Sequence, residues 1–190
     1  MYIMQLLNAT KSLLLVVDIQ EKLLPTIHAS EEMLEHCGWL IRLAHKVEVP
    51  VFISEQYPQG LGPTAACLRE LAPTSSLHTK HEFSCAANPE MRAAIEQFDP
   101  KQIVICGIET HVCVLQTAID LANNGKQVFV VSDATSTRHL EDKHWALERM
   151  SHHPNIQILT REMVLFEWVH RSGTPLFKEV SQQFLKESKV

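Results

Sequence analysis

Five short apolar runs, at residues 13–17, 51–54, 103–106, 128–131 and 156–159, recur along the chain with helical patterns between them. Such a run reads as a strand covered on both faces, and a chain that alternates these runs with helix-length segments has the rhythm of βαβ units. It predicts an α/β fold with a doubly wound, mostly parallel central sheet and helices on both faces. Residues 31–47 fit the first crossover helix. They set Met33, Leu34, Leu40, Ile41, Leu43 and Ala44 near one side and place Glu31, Glu32 and Glu35 in the first turns, where the helix dipole favours them.

Further along, the segment from Asp133 to Ser136 can turn and cap a helix over 138–151, and Thr160 can cap another over 161–170. Residues 74–79 hold only Leu77 as a large apolar side chain, so periodicity does not make them a strand; their place in the order does. Residues 55–73 carry Pro58, Gly60, Gly62, Pro63 and Pro73 and predict a long connection of the kind that covers or lines a site. After Gly173 and Pro175, a helix over about 176–187 sets Phe177, Val180 and Phe184 on one face. That face packs either on its own domain or on a second subunit.

With 190 residues, 45% of them hydrophobic, the chain has enough apolar material for one full core and little room for a second, so residues 1–190 are expected to form a single domain. A net charge of −5 and the lack of any Lys/Arg run beyond a pair argue against nucleic acid or a membrane surface as partner and leave a small molecule. No stretch approaches membrane-spanning length, and the N-terminus shows no secretory pattern. Cysteines at 37, 67, 85, 106 and 113 are odd in number and lack CxxC spacing, which fits reduced thiols in the cytoplasm.

Cys113 stands apart from the other four. The run Ile103-Val104-Ile105-Cys106 meets Gly107, which permits a sharp turn, and Thr110 is placed to cap a helix over 111–124. A thiol in that first turn is expected to ionise more easily than a free one, and the unpaired N–H groups there can hold an oxyanion. Cys106, inside the apolar run, reads as a small buried hydrophobe. Asp18 ends the first apolar run and needs solvent or a partner there. Lys80 alone would be a surface lysine, and Asp133 alone a turn residue.

Three segments carry a resemblance. Leu15-Val16-Val17-Asp18-Ile19-Gln20, then Lys80-His81-Glu82-Phe83-Ser84, then Gly107-Ile108-Glu109-Thr110-His111-Val112-Cys113 resemble, in order and spacing from about residue 12 to 166, the isochorismatase-like cysteine hydrolases. Glu55-Gln56-Tyr57-Pro58 followed by Gly60-Leu61-Gly62-Pro63-Thr64 is most similar to the isochorismatase-domain branch. The resemblance implies a catalytic triad of Asp18, Lys80 and Cys113, with oxyanion contacts from the Glu109 and Cys113 N–H groups and a non-proline cis peptide before Glu109. It also implies a homo-oligomer.

Within that family the nicotinamidase members hold a divalent metal through an Asp-x-His motif, and Ser54-Glu55-Gln56-Tyr57 stands in its place here. The expectation is therefore no metal and no cofactor. Gln20, Tyr57, Leu61 and Phe83 are expected either to line the substrate pocket or simply to pack the loops. The implied activity is hydrolysis of a small amide or related C–N compound through a thioester. Vinyl-ether hydrolysis of the isochorismatase type and a non-catalytic thiol-redox or binding role are the alternatives.

Overall fold

The computed structural model describes residues 5–73 and 76–186. Six strands, β1 (Ser12–Val17), β2 (Val51–Gln56), β3 (Leu77–Lys80), β4 (Gln102–Ile108), β5 (Gln127–Ser136) and β6 (Ile156–Leu159), form one sheet in the order β3-β2-β1-β4-β5-β6. Every neighbouring pair is parallel. β1 and β4 are buried along their whole length, as apolar runs covered on both faces must be. β3 occupies the place its order in the chain predicted, while residues 74 and 75 of that expected strand lie outside the described residues.

Alternation along β1 divides the core. Leu14 and Val16 join the α1 (Ser30–Lys46) side, with Leu40, Ile41 and Leu43. Leu13, Leu15 and Val17 face the opposite cluster, which includes Met91, Ala118 and Met150. That second face is covered by α4 (Pro89–Phe98), α5 (Leu115–Asn123) and α6 (Leu140–Ser151). Helix α7 (Arg161–Val169) returns to the α1 side through Val164, Leu165 and Trp168. Two four-residue helices, α2 (Pro58–Leu61) and α3 (Ala66–Arg69), punctuate the connection after β2.

Several expected boundaries move, each for a local reason. Residues Asp133–Ser136 are not a turn: β5 runs on to Ser136, and its ladder with β4 is interrupted between Ile105 and Gly107 before resuming at Gly107 with Thr135. The Asp133 carboxylate instead accepts the Arg161 N–H at 2.9 Å, tying the start of α7 to the sheet. α6 begins at Leu140 after His139, which makes no side-chain cap. α4 escapes a periodicity reading because only Met91 and Ile95 are buried, although Asn88 caps it by accepting the Met91 N–H at 3.0 Å.

The C-terminal segment forms α8 (Pro175–Val180), which runs into a π-helical turn at Ser181–Leu185. Residue 187, the end of the expected helix, lies outside the described residues. Val180 and Phe184 join the α1-side core, and the Phe184 ring meets Trp39 edge-on, centroids 5.2 Å apart. The apolar face therefore packs on its own sheet.

Candidate active site

Strand order reverses between β1 and β4, so the crevice outside their carboxyl ends is where a doubly wound sheet accepts a ligand. Asp18 leaves β1 with a left-handed φ of 51°, uncommon for a residue with a Cβ. The turn is held by the Asp18 N–H donating to the Ser54 carbonyl at 3.1 Å. Gly107 pairs with Val17, and a Cβ there would lie 2.2 Å from the Val17 carbonyl oxygen. Its glycine is thus required by close approach of β4 to β1 within the strand, rather than by a turn after it.

Lys80 ends β3 and points inward with its side chain fully buried. Its ammonium donates to Asp18 Oδ2 at 2.6 Å, Gln56 Oε1 at 2.8 Å, and the Glu82 and Phe83 carbonyls at 3.2 Å each. The other carboxylate oxygen of Asp18 accepts from the Ser54 hydroxyl at 2.7 Å. Burial is the largest influence and alone would pull the lysine toward neutrality, but attraction to the Asp18 carboxylate, with Cys85, Cys113 and the Asp18 hydrogen bond adding to it, together leave Lys80 above its usual value. The lysine stays cationic because its partner and its carbonyl cradle go into the interior with it.

Cys113 sits in a π-helical turn, Thr110–Val114, that precedes α5. A single widened turn of this kind is frequent at functional sites. Thr110 does not cap the helix; its hydroxyl donates to the Ser136 carbonyl at 2.9 Å, and Glu109 stands in the cap position. The Ile108–Glu109 peptide is cis. The Glu109 carbonyl accepts from the Val112 and Val114 N–H groups at 3.0 and 3.2 Å, while among the described residues its own N–H has no backbone acceptor.

The expected low thiol pKa is overturned. Cys113 is only 7% exposed, and burial first, then the facing Asp18 carboxylate, push its thiol well above the ordinary value, with Lys80 only partly offsetting them. The helix-terminus argument fails because the π-turn's N–H groups are partly spent on the Glu109 carbonyl and because an anion already occupies the place beside the thiol. Cys85 lies against the same pair, its N–H donating to the Thr117 hydroxyl at 2.9 Å. Burial and Asp18 push its thiol up to about 11.

Of the four expected lining residues, Gln20 is wholly buried and spends its amide on the loop: it donates to the Gln56 and Gly62 carbonyls and accepts the Gln56 N–H. It ties the turn after β1 to the end of β2 and the connection that follows. Leu61 closes the four-residue α2. Tyr57 and Phe83 are 48% and 53% exposed on the two loops that follow β2 and β3, and the Tyr57 ring stands 5.6 Å from that of His81. Among the described residues, no three His, Cys, Asp or Glu side chains cluster as metal ligands, and no helix is long and apolar enough to cross a membrane.

Ser54, Gln56 and Thr117 are site residues that the sequence reading missed. Ser54 left a trace, a small polar residue ending an apolar run. Gln56 and Thr117 left only spacing: Gln56 one strand period beyond Ser54, and Thr117 one helical turn beyond Cys113.

The isochorismatase domain profile matches residues 12–162. Isochorismatase domain-containing protein 2 of Danio rerio is 35% identical over 176 residues, spanning 93% of this chain and 88% of the relative. Among solved structures, one described as the MAR1 ribonuclease of Caenorhabditis elegans superposes with a TM-score of 0.89 at 34% identity, covering 98% of this chain and 95% of that one. The Escherichia coli YcaC gene product, described as an octameric hydrolase of unknown specificity, gives a TM-score of 0.83 at 26% identity, with 87% and 83% covered.

Proposed function

The chain belongs to the isochorismatase-like hydrolase family, and from that premise we propose that it hydrolyses a small amide or related C–N compound through a thioester on Cys113. The observation that carries this reading is the buried Asp18–Lys80 pair, 2.6 Å long, facing a thiol that burial and the Asp18 carboxylate keep protonated. A resting thiol beside a carboxylate is a nucleophile made on demand. As the thiol approaches a carbonyl carbon, its proton passes to Asp18 and the Sγ–C bond forms. Lys80 stays cationic throughout and offsets the negative charge that moves from carboxylate to substrate.

The carbonyl oxygen, now anionic, is received by the Glu109 and Cys113 N–H groups. Asp18 returns the proton to the leaving nitrogen, which departs as the amine or ammonia. Asp18 then takes a proton from water as the water attacks the thioester; the Sγ–C bond breaks, Asp18 passes that proton to Sγ, and the acyl group departs as the carboxylic acid while Cys113 is restored as a thiol. Tyr57 and Phe83, exposed on the flanking loops, supply apolar surface for the substituent. No step calls for a metal or cofactor.

RNA cleavage, named for the Caenorhabditis elegans relative, has less support here, because a net charge of −5 offers poor attraction for a polyanion. A homo-oligomer belongs to the same reading: large side chains such as Trp145 and Phe166 are exposed, and the Escherichia coli relative is described as octameric. Five unpaired thiols suit a cytoplasmic location. The test is a panel of small amides scored for amine or ammonia release, with acyl adducts on Cys113 sought by mass spectrometry. Turnover retained in Cys113→Ala would overturn the proposal.

A further inference from the structure

We propose that His111 and Thr137 are positioning residues that clamp the Glu109 side chain and thereby hold the Glu109 N–H at the oxyanion, with His111 fixed as the Nδ1–H tautomer. The inference rests on the thioester reading above. Its structural basis is a chain of polar contacts on the outer side of the Cys113 turn. Glu109 Oε2 receives the Thr137 hydroxyl at 3.0 Å, the Arg138 N–H at 3.1 Å and Arg138 Nε at 3.0 Å. Thr137 Oγ1 also lies 2.8 Å from His111 Nδ1, and His111 Nε2 faces Asp142 Oδ2 at 3.9 Å. Thr137 is completely buried, so its hydroxyl has no water to substitute for these partners.

Hydrogen counting sets the tautomer. Burial would raise the Glu109 carboxyl, but the hydrogen bonds from Arg138 and Thr137 more than offset it, leaving the group below the usual carboxylate value and ionised. An ionised carboxylate only accepts, and a threonine hydroxyl has one hydrogen to give. That hydrogen goes to Glu109. Thr137 Oγ1 must then accept from His111, which requires a hydrogen on Nδ1. Nε2 is left toward Asp142, whose Oδ2 lies 3.9 Å away.

The consequence lies on the backbone. The Glu109 carbonyl is already fixed by two N–H donors from the π-turn, and its side chain is fixed by three donors from Thr137 and Arg138. With both ends held, the direction of the N–H between β4 and the turn is determined. Residues 137 and 138 follow β5 immediately, so the clamp also couples the end of β5 to the Cys113 turn.

The test compares two thiol reagents. Acrylamide forms an Sγ–C bond at its terminal alkene carbon while the π pair moves to the carbonyl oxygen; the thiol proton then reaches the α-carbon through Asp18. That reaction develops an oxyanion. Methyl methanethiosulfonate forms an S–S bond and expels sulfinate, with no carbonyl to stabilise. The ratio of the two rates at Cys113, read by mass spectrometry, therefore reports the oxyanion site separately from the nucleophile.

Thr137→Val and His111→Ala should each lower the acrylamide-to-thiosulfonate ratio by roughly 10- to 100-fold, the scale of a misplaced oxyanion donor. Thr137→Ser and His111→Asn keep a hydroxyl and a short N–H donor and should retain the ratio. A ratio unchanged in both Thr137→Val and His111→Ala, or a ratio lost equally in the conservative variants, would overturn the clamp while leaving Cys113 as nucleophile. Failure of both reagents to modify Cys113 in the wild type would instead overturn the thioester reading and the clamp with it.

Discussion

The two halves of the site are built in opposite ways. On the β1–β3 side, Asp18 and Lys80 are sealed from water, and the carboxylate oxygens and ammonium hydrogens are spent on Ser54, Gln56 and two carbonyls. On the β4–β5 side, the charged partner of Glu109 is Arg138, whose side chain is 53% exposed. The first half holds charge where no solvent can screen it; the second holds geometry with a buried Thr137 hydroxyl and a charge, that of Arg138, that water and salt can reach. Proton transfer needs a fixed field, which only burial provides. Orienting a backbone N–H needs only direction, and hydrogen bonds from the Thr137 hydroxyl and from Arg138 supply it.

The largest expected effect comes from breaking the interior half. Lys80→Met leaves the Asp18 carboxylate buried without its counter-charge and should cost about 3–5 kcal/mol of stability, along with turnover. The double variant Asp18→Asn/Lys80→Met should recover most of that stability and none of the activity. Urea denaturation of the three proteins checks this. A Lys80→Met loss no greater than that of a rim substitution would erase the contrast between the halves.

Next in size are opposite shifts in thiol reactivity. Asp18 raises the Cys113 thiol and Lys80 lowers it, so Asp18→Asn should move the pH profile of Cys113 alkylation to lower pH, and Lys80→Met should move it higher. Asp18→Asn should thus lose amide turnover and the acrylamide reaction relayed through Asp18, while alkylation through the free thiolate begins at lower pH than in wild type. A protein whose cysteine were activated simply as a resting thiolate would keep the acrylamide reaction.

Much of this arrangement was legible in the sequence. The five apolar runs mark their strands because a sheet buried on both faces demands continuous aliphatic residues, and order along the chain supplies β3 where periodicity fails. Asp18, Lys80 and Cys113 are readable because each sits where an apolar run ends or in a segment with a family pattern. What was not legible depends on groups meeting across the sheet. Ser54 and Gln56 act only through Asp18 and Lys80, and the raised Cys113 thiol follows from burial and from a carboxylate on another strand. The helix-start reading of residues 133–136 failed for the same reason. Asp-Ala-Thr-Ser looks like turn chemistry until β4 offers it a ladder beyond the interruption at Ile105 and Gly107.

The second buried thiol sharpens the interior half further. Cys85 is held up to about 11 against an ordinary 9.0, so it favours the folded state fully below pH 9, and that contribution is lost as pH rises toward 11. The loss should amount to about 2–3 kcal/mol. Denaturation midpoints measured between pH 8 and 11 should fall less steeply in Cys85→Ala than in wild type. Equal slopes would mean that Cys85 is not sealed beside the pair. Acrylamide modification of Cys113 at pH 7 should meanwhile be largely intact in Cys85→Ala and absent in Cys113→Ala.

The smallest effect is expected at the rim, and its value is diagnostic. Arg138→Ala removes an exposed partner from Glu109 but leaves the buried Thr137 hydroxyl and the residue-138 N–H in place, so it should cost no more than about 1 kcal/mol of stability. The acrylamide-to-thiosulfonate ratio should fall only about two- to threefold, since the remaining hydrogen bonds still orient the N–H. Because Arg138 works through an exposed charge, about 1 M salt, which shortens screening to roughly 3 Å, should bring the wild-type ratio close to that of Arg138→Ala. The same salt should leave the alkylation pH profile set by Asp18 and Lys80 in place, for no ion reaches a pair with fully buried side chains. A salt-dependent profile would show that water enters the interior half, and the division between a sealed field and an adjustable rim would no longer hold.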